Sequence, residues 1–487
     1  MKNIILNSLL VDQETSIKNA LYKINKSGLG VCFLTKKNKL TNVIKDGDIR
    51  RALLTGLKLN NKIKLVKKSK FVFAKQNYKF LEIQSKISKY KIVPIINSKG
   101  EVIDYADDKR FRQIPLYEPV LLGKELEYLT QAIRSGWISS KGKFVNLFEK
   151  KFSNFVKNKF CLSTSSGTTA LQLAIASLKL KSGDEIIVPD YTFVAPINAI
   201  IHAGCKPVLA DIDQDSLCIS YDSVKKLISK KTKAIIIVHL YGNIGELIKI
   251  INLCKKKNIL IIEDCAESLG SKLNNKHVGN FGDVGTFSFF GNKTISTGEG
   301  GMVIFKNQKN FNLAKKLRDH GMNENKKYWH DEIGFNFRFT NLQAAVGCAQ
   351  IERANFFIKK KIEIQKRYKS KLKHLIYIDF PKVKKNIINS HWLCYFKINS
   401  NFVLKEKARN SLVKYLNDNG IEARKGFYSS HYMKIYKNFK SKKINYYNSK
   451  NTSSTIVTLP SSASLKDKEI EYICKVINNF KFSKFLK

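Results

Sequence analysis

The sequence contains no Cys-x-x-Cys pair, no apolar run approaching the roughly 20 residues of a membrane-crossing helix, and far fewer acidic than basic residues, 39 against 87. Its nine cysteines are odd in number and dispersed. That excludes a disulfide framework or a zinc site as the organising device and fits free thiols in a reducing compartment. The N-terminus has neither the long apolar core nor the small-residue cleavage site of a secretory signal. These absences set the expectation of a soluble cytoplasmic protein with no membrane and no metal to bind. The shortage of acid leaves a formal net charge of +48, which by itself suggests a phosphate-rich partner such as nucleic acid. The lysines, however, are scattered through every segment of a chain also crowded with isoleucine and asparagine. A solvated basic surface without a nucleic-acid partner is therefore the expectation.

What is present is ample apolar material: 43% hydrophobic and 11% aromatic over 487 residues, a length for two or three domains. From Phe160 to Ile262, apolar runs (Glu185 to Pro189, Lys206 to Asp211, Lys233 to Leu240, Ile259 to Ile262) alternate with helical spacing. This predicts an α/β domain around a mainly parallel sheet with right-handed crossovers. In such sheets ligands collect at the carboxyl ends of strands. The run Ile259 to Ile262 ends in Glu263 and Asp264, and a second strand candidate, Gly285 to Phe290, leads through Gly291 and Asn292 to Lys293. A buried aspartate and a lone lysine at strand ends suit pyridoxal phosphate (PLP). The lysine forms the covalent link, and the aspartate keeps the ring nitrogen protonated so that the ring accepts electrons. The same two residues also fit a helix-capping carboxylate and a solvated lysine. Ser163 to Thr169, hydroxyl-rich around Gly167, precedes a helix candidate at Ala170 to Ala174. Free N–H groups and the helix dipole at such a start hold a phosphate, although Ser and Thr cap helices of every kind. Phe193 follows the strand Glu185 to Pro189 and either covers a bound ring or packs in the core.

The wording of several blocks goes further. Glu263 to Gly270, Phe287 to Lys293, Thr297 to Gly301, Tyr328 to His330 and Gly334 to Ala345 resemble, in order, the DegT/DnrJ/EryC1/StrS family of nucleotide-sugar aminotransferases. The resemblance runs from about Ile114 to the C-terminus. It implies a fold-type I α/β architecture, with a large domain on a mainly parallel sheet and a small C-terminal α/β domain. It also implies PLP as cofactor, with Lys293 and Asp264 catalytic, Ser166, Gly167, Thr168 and Ser288 cupping the phosphate, and Phe193 over the ring. Glu267 stands where many relatives carry Gln. That departure fits the branch that aminates GDP-linked 4-keto-6-deoxymannose to perosamine, with a UDP- or dTDP-linked keto sugar as the alternative. Dehydratase relatives carry His in place of the lysine, and regulatory relatives still bind PLP. The family's usual donor is glutamate. Relatives complete each site with an Asn or Arg from the neighbouring subunit, which implies a homodimer with shared active sites and offers Asn336 and Arg338 for that part. Trp137, His320, Arg424 and His431 fall in blocks offered to the sugar nucleotide, although Ser429-Ser430 replaces the proline usual before the histidine.

Residues 1–110 read as a separate unit. Helical spacing around Ser16 to Ile24 and strand candidates at Gly30 to Leu34 and Leu40 to Ile44 are echoed near Phe80 to Ile87, Ile92 to Ile96 and Glu101 to Ile103, which suggests an internal duplication. Thr41 to Leu53 resembles a cystathionine β-synthase (CBS) domain pair, an α+β unit. In that family an aspartate at the place of Asp48 holds a ribose and follows a Ser or Thr three residues earlier. Here that earlier place is Lys45, so an adenine nucleotide at this domain competes with a purely structural or assembly role. Asp107 to Arg110 reads as the linker, residues 111–375 as the large domain and 376–487 as the small one.

Overall fold

A computed structural model of the chain describes residues 2–67, 70–399 and 401–486 and divides into two compact units. The first comprises the chain up to Ile114 together with Tyr415–Ile421, and the second Pro115–Lys414 with Glu422–Lys487. No helix among the described residues is long and apolar enough to cross a membrane, and the nine cysteines are buried and unpaired.

The first unit is built twice on one plan. Leu10–Asp12, Ile17–Ser27, Val31–Lys36 and Lys39–Lys45 form strand, helix, strand and strand, and Ala74–Lys75, Phe80–Tyr90, Ile92–Ile96 and Val102–Asp107 repeat the order. In each half the first strand pairs parallel with the second, and the second antiparallel with the third. Ile17, Ala20 and Ile24 share the buried face of the first helix, which Ser16 caps by accepting from the Asn19 N–H. Gly28 ends it in the left-handed region at φ 67°, where glycine bears no Cβ penalty. Leu9, Val31, Phe33, Val43, Ile92 and Tyr105 join the two halves in one apolar cluster. Asp48 lies at the start of helix Asp46–Leu54, accepts from the Lys45 N–H at 2.9 Å and pairs with Arg51. It lines, with Arg51, Thr55 and Lys67 among others, a cavity of about 540 Å³.

The second unit is organised by a seven-stranded sheet. Its spatial order is Cys161–Thr164, Gly301–Phe305, Val284–Ser288, Leu260–Asp264, Thr232–Val238, Glu185–Pro189 and Lys206–Ala210. All adjacent pairs are parallel except the two that flank Gly301–Phe305. The middle strands are apolar nearly throughout, as strands covered by helices on both faces must be: Ile235, Ile236, Ile261 and Ile262 are all buried. Where the long isoleucine strands end, alternation decides which side chain faces where. Phe287 and Phe289 turn into an aromatic cluster with Phe148 and Phe152, ring centroids 5.1 to 5.6 Å apart. Ser288 and Phe290 are thereby left on the side of the cavity described below. Past the sheet come two helices, Asn341–Glu352 and Ala354–Leu372. Arg353 between them departs from helical geometry at φ −105° and ψ 4°. A four-stranded antiparallel sheet follows, ordered Ile378–Asp379, Cys394–Ile398, Ile456–Leu459 and Arg424–Lys425.

Candidate active site

Two carboxylates end the strand Leu260–Asp264, and because neighbours on a strand point to opposite faces they meet different fates. Glu263 turns towards His239, whose Nε2 lies 2.9 Å from its Oε2. Its carboxylate also accepts from the N–H groups of Gly279, Phe281 and Gly282 at 2.9, 2.6 and 2.7 Å. Burial opposes its charge, but His239 and these donors outweigh that and hold it below the usual carboxylate range. Asp264 turns the other way, into a cavity of about 440 Å³. One Ala266 N–H reaches its Oδ1 at 3.0 Å. Burial pushes its carboxyl above the ordinary value, against the pull of that N–H and of Lys293. A cationic group set directly against this carboxyl would offset the cost of its burial further.

Lys293 enters the same cavity from the loop after Val284–Ser288. Its Nζ lies 3.9 Å from Glu267 Oε1 and 3.9 Å from the centroid of the Trp392 ring. Burial draws its ammonium below the ordinary value, against Glu267 and Asp264. Glu267 is itself buried, and burial pushes its carboxyl up to about 7 despite the nearby Lys293 charge and the Tyr241 N–H at 2.9 Å. Tyr241 offers that N–H from the left-handed region at φ 53°, a strained place for an aromatic residue. Its ring stacks with Trp392 and Phe427 at centroid distances of 5.8 and 6.0 Å.

The opposite wall is the N-terminus of the helix Gly167–Ser177. Ser166 caps it, accepting from the Thr169 N–H at 3.1 Å, while Thr169 Oγ1 accepts from the Ser166 N–H at 2.9 Å. The Ser166 hydroxyl is thus already engaged, and the helix's first N–H groups remain for an anion. Gly167 cannot be larger here: a Cβ on it would lie 2.7 Å from Ser288 Cβ. Ser166, Gly167, Thr168, Phe193, Asp264, Glu267, Ser288, Lys293 and Arg424 all line the one cavity. A phosphate cradle too close for a side chain, a carboxyl whose charge burial opposes, a buried amine and an Asn292 Oδ1 buried without a donor fit a PLP-sized anion with a cationic ring.

The remaining candidate residues lie elsewhere. His431 is buried against Asp190, its Nδ1 2.8 Å from Oδ2, and does not line the cavity. Trp137 is largely exposed and its carbonyl accepts from Asn341 Nδ2 at 2.6 Å. Arg338 pairs with Asp319 at 2.9 Å and contacts Asn336 Oδ1 and His320 Nε2 at 3.2 and 3.3 Å. That cluster is also outside the cavity of its own chain. Conversely, Tyr241, Glu299, Trp392, Lys425 and Phe427 line the cavity and were not singled out by sequence. The available signals are the block Thr297 to Gly301, which contains Glu299, and Tyr241, an aromatic shortly beyond the strand Thr232–Val238.

Residues 121–478 match the DegT/DnrJ/EryC1/StrS aminotransferase family. The chain belongs to this family. A GDP-perosamine synthase of Vibrio cholerae is 41% identical over 367 residues, 75% of this chain and 99% of the relative. The Escherichia coli GDP-4-keto-6-deoxy-D-mannose-3-dehydratase, solved with bound hydrated PLP, superposes with a TM-score of 0.70 at 26% identity, over 75% of this chain and 99% of that one. The Helicobacter pylori aminotransferase PseC, involved in the biosynthesis of pseudoaminic acid, gives a TM-score of 0.72 at 26% identity, over 77% and 100%. In this member of the DegT/DnrJ/EryC1/StrS family the matched stretch contains the whole cavity apart from Leu116, while the first unit's residues up to Ile114 precede it.

Proposed function

We propose that this chain transfers the amino group of glutamate to the C4 keto group of GDP-4-keto-6-deoxymannose, forming GDP-perosamine for a surface polysaccharide. The enzyme is a PLP-dependent sugar aminotransferase. The choice of sugar rests on the 41% identity to a GDP-perosamine synthase across nearly that relative's full length. When bound, PLP supplies a ring that accepts electrons, so that a proton can leave the carbon bearing the transferred amine.

The chain's own residues supply the rest. Lys293 would hold the cofactor covalently and, with its amine free, would act as the base at the donor's α-carbon. Burial draws the Lys293 ammonium below its ordinary value, the direction that suits a base. Asp264 holds the proton on the ring nitrogen and places negative charge beside it. The Gly167 and Thr168 N–H groups with Ser288 would hold the phosphate, and Phe193, which lines the same cavity, would lie against the ring. Glu267 fixes the Lys293 side of the site through its bond from Tyr241. Arg424 and Lys425, on the cavity rim, meet the nucleotide phosphates. Lys293 in place of the histidine of dehydratase relatives favours amine transfer over dehydration.

The functional form is read as a homodimer in which Asn336 and Arg338 reach the neighbouring site, since neither lines its own. The first unit is read as a CBS-like domain pair with an assembly role. Supporting this over nucleotide binding, the Asp48 carboxylate is already committed to the Lys45 N–H and Arg51. The purified protein is to be incubated with PLP, glutamate and GDP-, UDP- and dTDP-linked 4-keto-6-deoxy sugars. Amination of the GDP sugar at a kcat/KM at least tenfold above the others is expected. A preference for a UDP or dTDP sugar contradicts the nucleotide assignment.

A further inference from the structure

Lys361 sits on the helix Ala354–Leu372 with no exposed surface and has no part in the chemistry above. Its Nζ donates to the carbonyl oxygens of Trp392 at 2.9 Å and Ser461 at 3.2 Å, and lies 4.5 Å from the centroid of the Tyr117 ring. Both aromatic neighbours reach the loop that carries Lys293. The Tyr117 hydroxyl donates to the Lys293 carbonyl at 2.5 Å. The Trp392 indole N–H donates to the Asn292 carbonyl at 2.7 Å, and the Trp392 ring faces the Lys293 amine at 3.9 Å. Two arms that start at one buried amine therefore close on two successive peptide units.

A buried amine is a costly way to satisfy two carbonyl oxygens, because burial alone draws the Lys361 ammonium down to about 7. A hydrocarbon of the same length fills such a space without that cost. What the amine adds is direction: it ties the Trp392 backbone to the Ser461 segment and lies against the Tyr117 face. A lysine that must both hold a cofactor and deliver a proton needs its backbone stationary, since small misplacements of a reacting group cost rate steeply. We propose that Lys361 is a positioning residue for Lys293, fixing the two aromatic side chains that grip the Asn292–Lys293 backbone and seat the Lys293 amine. This rests on the reading that Lys293 carries PLP.

The test uses the full chain loaded with PLP, as wild type and as Lys293→Ala, Lys361→Met, Lys361→Gln, Trp392→Phe and the Lys361→Met/Trp392→Phe double variant. Wild type is expected to show the visible cofactor band and Lys293→Ala to lose it. A band that survives in Lys293→Ala overturns the reading of Lys293 and the proposal with it. The carboxyl groups facing the Lys293 amine, Glu267 and Asp264, are unchanged in the Lys361 and Trp392 variants. Lys361→Met is expected to lower the midpoint of the band's pH titration by about half a unit or more, because the cation loses its aromatic seat. Its kcat should fall roughly tenfold with KM for the nucleotide sugar within about twofold. Trp392→Phe should shift the band the same way, and the double variant should add little to either single change, as for residues acting along one path. A Lys361→Met enzyme whose band titrates as wild type, or whose effect adds in full to that of Trp392→Phe, overturns the proposal even if its melting temperature drops. If Lys361→Met does not fold, Lys361→Gln, which keeps an N–H for one of the two carbonyl oxygens, carries both readouts. An unshifted band with wild-type kcat in that variant overturns the proposal alone and leaves the role of Lys293 standing.

Discussion

Glu267 offers a quantitative test of the site's electrostatics in the cofactor-free protein. Its carboxyl is raised from an ordinary 4.5 to about 7 because it is buried, with the Lys293 amine 3.9 Å away and one backbone N–H as its compensation. In the folded chain it keeps a proton that the unfolded chain has released, so stability falls as pH rises from about 4.5 to about 7 and stays lowered above that. The full rise corresponds to about 3 kcal/mol, at about 1.4 kcal/mol per pH unit. Glu267→Gln keeps the shape and the acceptor for the Tyr241 N–H but does not titrate. It also leaves Lys293 without its nearest carboxylate, which returns part of the gain. The net expectation is a variant close to wild type in stability at pH 5 and about 2 kcal/mol more stable at pH 8. Denaturant unfolding of both proteins without PLP, followed by circular dichroism at the two pH values, reads the difference directly. A stability difference that stays constant between pH 5 and pH 8 refutes a Glu267 carboxyl raised to about 7 by burial.

Three further outcomes follow from the same geometry. Lys293→Ala should lose the visible cofactor band and activity while its circular dichroism spectrum stays that of wild type, and borohydride treatment should fix cofactor to wild type alone. Removal of residues 1–110 should leave transamination within about threefold of the full chain in a steady-state assay, because the lining of the cavity begins at Leu116. Loss of PLP binding in a soluble truncated protein contradicts that separation. Lys293→Ala and Arg338→Ala, each inactive alone, should recover activity when mixed and allowed to exchange subunits, because one hybrid site carries neither defect. If exchange is verified and nothing is recovered, Arg338 does not act across the interface.

The parts of the fold legible in sequence were those written in short-range pattern. The isoleucine runs marked the central strands because burial on both faces demands unbroken apolar stretches, and Asp264 and Lys293 stood out by ending or following them. Gly301–Phe305 carries no clear strand signal of its own, since it opens directly from a glycine-rich turn and inserts antiparallel between two strands far apart in sequence. The break at Arg353 was equally hidden, with helix-forming residues on both sides. Trp392 meets Tyr241 and Lys293, and Phe427 meets Tyr241, from segments far apart in sequence, and no local periodicity encodes that. His431 illustrates the converse. Its block stands out in the sequence, but its partner Asp190 lies 241 residues away, so local pattern does not separate a buried anchor from a substrate contact. Asn336 and Arg338 form one cluster with Asp319 and His320, a grouping that their spacing alone did not reveal.

The most direct test of the central claim follows nitrogen. The full chain with PLP, glutamate labelled with ¹⁵N at its amino group, and GDP-4-keto-6-deoxymannose should give a GDP-linked amino sugar. Its ¹⁵N should be bonded to C4, seen as a one-bond coupling from ¹⁵N to that carbon, with the C3 hydroxyl retained. A product that has lost the C3 hydroxyl and carries no ¹⁵N contradicts the aminotransferase reading.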